Sequence, residues 1–450
     1  MTAPLLCLAA FFVSFWAGRR SLGQGLIALL AAGYFYGILR ANLLTVYSHF
    51  IFDAAVLGLY LSQNWTAQNP VEARRSRALR LWTVMLMIWP AIIALMPFQP
   101  LMVSLVGLRG HIFFVPILIL GSRLKEKDLI QVSAGLAVLN LVAVGFAYAE
   151  YRTDVRLFFP YSPVTQIIYA SGDLAGGHFR IPAVFSSAAA YGGTMAASLP
   201  YLIGFWAQMQ KRLVLRFLAL AGILAGLLGI LMSATRQNFV LGCAMIAATL
   251  ATNRVKARSW VVFLILIGGL GWVAMTNERF SRFKTLGDTD FLSERIAGSV
   301  NRNFWEILAD YPMGNGMGGG GTSLPYFLQG QVRNPIGMEN EYARILAEQG
   351  IIGLLMWLCF VAWFASHVRK AFAKGTWQNS RRLVWAFAAF ALGTAWIGNG
   401  LLVSIPMAAM MLLGIGWTTT SVSAEQRDVR QGANKETAVA RRHYGLVHSS

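Results

Sequence analysis

Residues 338–365 read MENEYARILAEQGIIGLLMWLCFVAWFA. The segment opens on a charged polar stretch and continues directly into an apolar run. That run can cross a bilayer core of about 30 Å at about 1.5 Å per residue. Arg344 and Glu348 sit within about two turns of where it begins. Ionised groups are expensive there and persist mainly where they face a bundle interior or a polar cavity. One stretch therefore implies both a membrane span and a charged workplace at one membrane face.

Similar runs recur at 3–17, 22–39, 43–61, 81–97, 108–121, 129–148, 183–207, 217–233, 237–252, 260–275, 383–399 and 401–417, with 342–365 in the quoted segment. The 450 residues are 56% hydrophobic and only 13% charged. This pattern predicts an all-α polytopic membrane protein of about 12–13 transmembrane helices, the lower count applying if 98–121 is re-entrant. The expected layout is one transmembrane domain over 1–420, with long outer loops at 149–181 and 277–341. Residues 421–450, polar and mixed in charge, read as a disordered cytoplasmic tail.

The net charge of +19 acquires a topological meaning on this layout. Arg19 and Arg20, the loops around residues 74–80, 123–127, 211–216, 254–258 and 369–382, and the tail together carry 25 of the 38 basic residues but only 6 of the 19 acids. Placing these on the cytoplasmic side satisfies the positive-inside rule with one continuous alternation. The whole excess is then a topogenic signal, and nucleic acid drops out as a partner. Cys7, Cys243 and Cys359 fall inside expected spans, so neither a disulfide framework nor a zinc spacing exists. The first apolar segment has its arginines after it and reads as a retained span.

Arginines outside the basic loops run against that bias and become the candidate site: Arg180 before span seven, Arg236 in the tight polar turn SATRQN, and Arg295 and Arg302, two helical turns apart. Guanidinium groups fix phosphate through paired hydrogen bonds, although ordinary salt bridging with outer acids would also explain single examples. Asn340 suits a helix N-cap, Glu339 and Glu341 complement the dipole at a helix start, and Arg344 and Glu348 can pair four residues apart. A carboxylate there could also deprotonate a hydroxyl. Gly314, Gly316 and Gly319 match G-x-G-x-x-G but lack the strand–turn–helix context of a dinucleotide site. They read as a hinge, or as a turn that a bulky substrate approaches closely. His49 and Asp53, four apart in span three, read as an internal hydrogen-bonded pair, and the other histidines form no metal-like cluster.

FRIPAVFSSAAAYGGTMAASLPYL, SATRQNFVLG, SERIAGSVNRNFWEILADYPMGNGMGGG and ENEYARILAEQGIIGLLMW, spread over residues 178–365, together resemble the O-antigen ligase and polymerase superfamily. The resemblance implies a fold like that of metal-independent (GT-C-like) lipid-linked glycosyltransferases in the bacterial cytoplasmic membrane, facing the periplasm. It implies a polyprenyl-diphosphate-linked glycan as donor, no cofactor, and membrane lipid, flippase or chain-length regulator proteins as neighbours. On it, Arg236 matches the family's turn arginine, Arg295 or Arg302 the loop arginine, and Arg180 the basic residue before span seven. Asn340 and Arg344 join them as glycan- or diphosphate-binding candidates, and Glu339, Glu341 and Arg236 are the catalytic candidates. The ligases place His-Asn where this chain has Glu339-Asn340, which favours polymerisation of lipid-linked repeat units in O-antigen or exopolysaccharide synthesis. Transfer of finished glycan to lipid A-core or protein is the alternative, and a transporter or flippase using His49–Asp53 as a proton relay is a further one.

Overall fold

The computed structural model describes residues 2–66, 70–170, 179–252, 303–321, 324–336, 340–398 and 400–420, plus a few isolated positions between 268 and 297; for 70–75 and 250–252 it gives backbone alone. Arg295, Arg302, Glu339, most of the expected span 260–275 and the tail 421–450 lie outside the described residues. The helices are α1 (Thr2–Arg20), α2 (Leu22–Asn42), α3 (Ile51–Ser62), α4 (Pro70–Ala94), α5 (Leu101–Ile112), α6 (Ile117–Ser122), α7 (Glu126–Arg152), α8 (Gln166–Tyr169) and α9 (Ala188–Gln208). They continue as α10 (Leu213–Met232), α11 (Arg236–Thr252), α12 (Asn303–Asp310), α13 (Tyr326–Gln329), α14 (Glu341–Ser366), α15 (Val368–Ala371), α16 (Gln378–Thr394) and α17 (Met407–Thr418). No strand occurs among the described residues.

Seven segments are long and apolar enough to cross a membrane: α1, α2, Ser76–Ala94, Leu101–Ser122, α7, α10 and α14. The protein is an all-α polytopic membrane protein. This is fewer than the 12 or 13 spans expected, for identifiable reasons. The segments expected at 43–61 and 401–417 yield shorter apolar helices, Val46–Ser62 and Met407–Thr418. Helix α9 is rich in Gly, Ala, Ser and Tyr and is buried along most of its length. A helix wrapped by other helices can carry those residues, because neighbouring protein rather than lipid surrounds it. By contrast α10 exposes Leu213, Phe217, Leu220, Leu224 and Leu228, a stripe at helical spacing. Such a stripe is stable facing lipid and costly facing water.

Helix α9 packs against α10, α7, α11, α16 and α17, so it forms the centre of the bundle. Close crossings depend on small residues: Gly204 lies against Ser380, and Gly121 and Gly416 bring α6 and α17 together. At one end of the bundle lie basic residues such as Arg123, which donates to the carbonyls of Asn64 and Trp65, and Arg381, which donates to those of Thr418 and Thr420. The opposite end carries the longer connections and the candidate site.

Helix α14 is not continuous. Gly350 has φ 69° and ψ −172°, which interrupts the helix nine residues after it starts. An interruption at membrane depth frees backbone groups that must find partners. The Gln349 carbonyl accepts from the Trp89 indole at 2.9 Å, Ile351 N–H donates to the Pro312 carbonyl at 2.9 Å, and Ala347 O accepts from Asn315 N–H at 2.5 Å. Two of these three partners belong to the glycine-rich segment 311–321.

That segment is neither an exposed hinge nor an open approach for substrate. Residues 314–320 are all buried. A Cβ on Gly107 would lie 2.2 Å from Gly318 N, and one on Gly314 would lie 2.7 Å from Gly350 N. The bare backbone is thus used to wedge the loop between α5 and the break in α14. Gln99 and Asn315 fasten it further: Gln99 Nε2 donates to Asn315 O at 2.8 Å, and Asn315 Nδ2 donates to Asn334 O at 2.9 Å.

Candidate functional site

Two groups of charged side chains lie at this end of the bundle. The first is closed. Asn340 caps α14 as expected, its Oδ1 accepting from Tyr342 N–H at 2.9 Å and Ala343 N–H at 3.1 Å. One turn on, Arg344 is fully buried and donates through Nε to Glu341 Oε1 at 3.1 Å. It also donates to Glu348 Oε2 at 3.2 Å, the pairing that the four-residue spacing predicts. His111, from α5, places Nε2 against the same Glu348 oxygen and 2.9 Å from Arg344, while its Nδ1 meets the Gln349 amide at 2.9 Å.

The outer oxygens of the network are also occupied. Glu348 Oε1 accepts from Gly320 N–H at 3.2 Å, and Glu341 Oε2 accepts from Gly400 N–H at 2.6 Å and Leu401 N–H at 3.1 Å. The network therefore ties α5, α14, the glycine-rich segment and the 400–401 turn together. Buried ion pairs persist when hydrogen bonds satisfy every member in this way. Glu341 and Arg344, both candidates for contact with substrate, are held here away from any open surface. Glu348 itself is 0% exposed.

The second group lies around Arg180 and Arg236. Phe179–Ser187 forms a non-helical strap, with a turn in which Ala183 has φ 54°, beside the ends of α2 and α7. Ile38 N–H donates to Val184 O at 3.0 Å, and Ala183 N–H donates to Glu150 Oε2 at 2.9 Å. Ser187 then caps α9 through Ala190 N–H. Arg180 rides on this strap, partly buried, with its Nε buried and lacking a hydrogen-bond partner among the described residues. Arg236 is the first residue of α11, after a tight turn in which Ala234 has φ 47°. Burial and the charge of Arg236 both depress the pKa of Arg180.

Three helix starts meet at this place. Asn238 of α11 donates to Ala189 O of α9 at 2.9 Å. Gln237 contacts the end of α16 through Thr394 at 3.4 Å and lies against Gly398. The first N–H of α14, from Glu341, donates to Ala395 O and Gly398 O at 3.0 and 3.2 Å. Helix N-termini carry partial positive charge, and a cation there is unfavourable by itself. Arg236 heads one of these helices, and Arg180 lies on the strap that leads into another.

The expected His49–Asp53 pair does not form. Asp53 binds Arg109 instead, with both contacts at 2.8 Å, because α5 presents a guanidinium against α3. Sequence reasoning missed Arg109 and His111. The available signal was two ionisable residues at the start of an apolar run, a position that flags function or pairing. Among the described residues no group of His, Cys, Asp and Glu could hold a metal ion. No protein-family model matches the chain, and no characterised protein matches it in sequence.

Proposed function

We propose that the protein is a membrane glycosyltransferase that polymerises polyprenyl-diphosphate-linked oligosaccharide units at the outer leaflet of a bacterial cytoplasmic membrane. The observation that carries this reading is Arg180, whose buried Nε lacks a partner among the described residues, on the strap into α9, the helix that α11 meets just after Arg236. Buried polar atoms are ordinarily satisfied, and an anion can supply the missing acceptor. A diphosphate supplies that anion, and the motif resemblance around both arginines points to the same ligand.

In this reading an acceptor sugar hydroxyl attacks the anomeric carbon of the donor. The bond from that carbon to the diphosphate oxygen breaks, and the electron pair leaves with the polyprenyl diphosphate. Arg180 and Arg236 stabilise the charge that develops on the leaving oxygen, with Arg295 or Arg302 as a further cation. The hydroxyl proton goes to a carboxylate at the start of α14. Glu341 is committed to Arg344, Gly400 and Leu401, which leaves that role to Glu339.

Lipid-linked intermediates in a deletion strain test the proposal. Accumulated single repeat units, cleared by the wild-type gene but not by Arg236→Ala, support polymerisation. Long polymer retained on polyprenyl diphosphate assigns ligation instead, and an unchanged lipid-linked pool removes both.

The interruption of α14 at Gly350 favours a second reading, transport, since discontinuous helices line many substrate paths. That reading requires substrate uptake or flipping by proteoliposomes, lost on substitution of Glu348.

A further inference from the structure

A second set of donors lies around Tyr36, near the end of α2, and does not depend on the proposed reaction. The Arg40 guanidinium stands 5.5 Å from the Tyr36 ring centroid. The Tyr36 hydroxyl donates to the His49 carbonyl at 3.2 Å, and Arg109 donates to the same carbonyl at 3.4 Å. Both arginine charges act on the His49 ring. Residue His49 is only 4% exposed, yet its Nε2 has no hydrogen-bond partner among the described residues. The Nε of Arg40 is likewise buried without one.

Asp53 balances one of the two arginines, because its carboxylate is engaged by Arg109. One positive charge and an unserved imidazole remain. Buried polar atoms are ordinarily satisfied, so an orphaned ring nitrogen beside a partly orphaned guanidinium marks a place for a missing acceptor. The recess has a wall and an entrance. The rings of Phe327 and Tyr326 lie 5.6 and 6.1 Å from the His49 ring, Tyr326 is 38% exposed, and the Arg109 side chain is 21% exposed. Guanidinium groups can only donate, so two of them beside an imidazole favour a ligand made of acceptors.

We propose that Arg40, Arg109 and His49 form an anion-binding recess, distinct from the Arg180–Arg236 corner, that takes one carboxylate or phosphate group. Two sources offer this chemistry, an acidic sugar and an anionic lipid headgroup. The aromatic wall suits either a sugar face or a lipid glycerol.

The test uses the full chain in phosphatidylcholine nanodiscs, titrated with glucuronate and with neutral glucose as control. A parallel arm measures retention of phosphatidylglycerol by native mass spectrometry. The expected result is saturable binding in at least one arm and none of glucose. Arg40→Ala and His49→Gln should each weaken that binding about tenfold, the loss of one charge-assisted contact. Binding in the first arm identifies an acidic sugar, and binding in the second alone identifies a headgroup. His49→Gln keeps a side chain of similar reach, so it decides the question if Arg40→Ala fails to fold. Absence of binding in both arms, or binding unchanged in the folded variants, overturns the proposal.

Discussion

The Arg344 network and the Arg180–Arg236 corner lie at the same end of the bundle and treat charge in opposite ways. Around Arg344, two carboxylates, a histidine and three backbone N–H groups surround one guanidinium. Around Arg180, the neighbouring charge is another arginine. The first arrangement spends its charges on each other and fixes geometry. The second sets the charge of one guanidinium on another, and the Nε of Arg180 is buried without a hydrogen-bond partner among the described residues. Burial alone does not mark a binding site; the sign and completeness of the partners do.

The largest effect expected from this contrast falls on the closed network. Arg344→Leu strands Glu341 and Glu348 as uncompensated buried carboxylates and should cost about 3–5 kcal/mol. Thermal unfolding in detergent and the yield of monodisperse protein report it. Substituting Glu341→Gln, Arg344→Met and Glu348→Gln together should recover much of that loss. An Arg344→Leu protein as stable as wild type would show that the network is not closed.

The Arg180–Arg236 corner should respond in function rather than in folding. Arg236→Ala is expected to lower polymer formation about 10²–10³-fold, the scale for removing one preorganised donor to developing charge. Its stability to unfolding should stay within about 1 kcal/mol of wild type, the usual range for a substitution outside the packed core. Loss of stability without selective loss of activity would place Arg236 with the structural group.

The wedge that joins the two regions comes next. Gly318→Ala would put a Cβ 2.7 Å from Val103 O at a position with φ 80°, and should destabilise by about 1–3 kcal/mol. Gly321, also at positive φ but with open space around it, should tolerate alanine with a smaller loss. Equal losses at both would show that backbone conformation, not close approach, governs the loop. A comparable effect is expected from Asp53→Asn, which takes a buried carboxylate from Arg109, whose side chain is 21% exposed, and should cost about 1–3 kcal/mol by the same unfolding assay.

Several of these features are legible in local sequence. The Asn340 cap and the Arg344–Glu348 pair follow from spacing within one helix, and the structure has both. The departures come from partners far along the chain. The segment expected to span 183–207 begins its helix only at Ala188, because the preceding residues are drawn out by Ile38 and Glu150. The run at 108–121 is split between α5 and α6. The glycine run 314–321 looks flexible in isolation; its stiffness comes from α5 and from the break at Gly350.

Apolar runs of membrane length, the bias of basic residues and the capped start of α14 are properties of neighbours in sequence, so residue order by itself determined that the chain is a helical membrane protein with charge at the head of one span. His111 meets Glu348 across 237 residues, and Arg180 approaches Arg236 only because a strap and a tight turn end side by side. Which charged side chains come together was therefore decided by the tertiary structure, since helical periodicity fixes faces but not what packs against them.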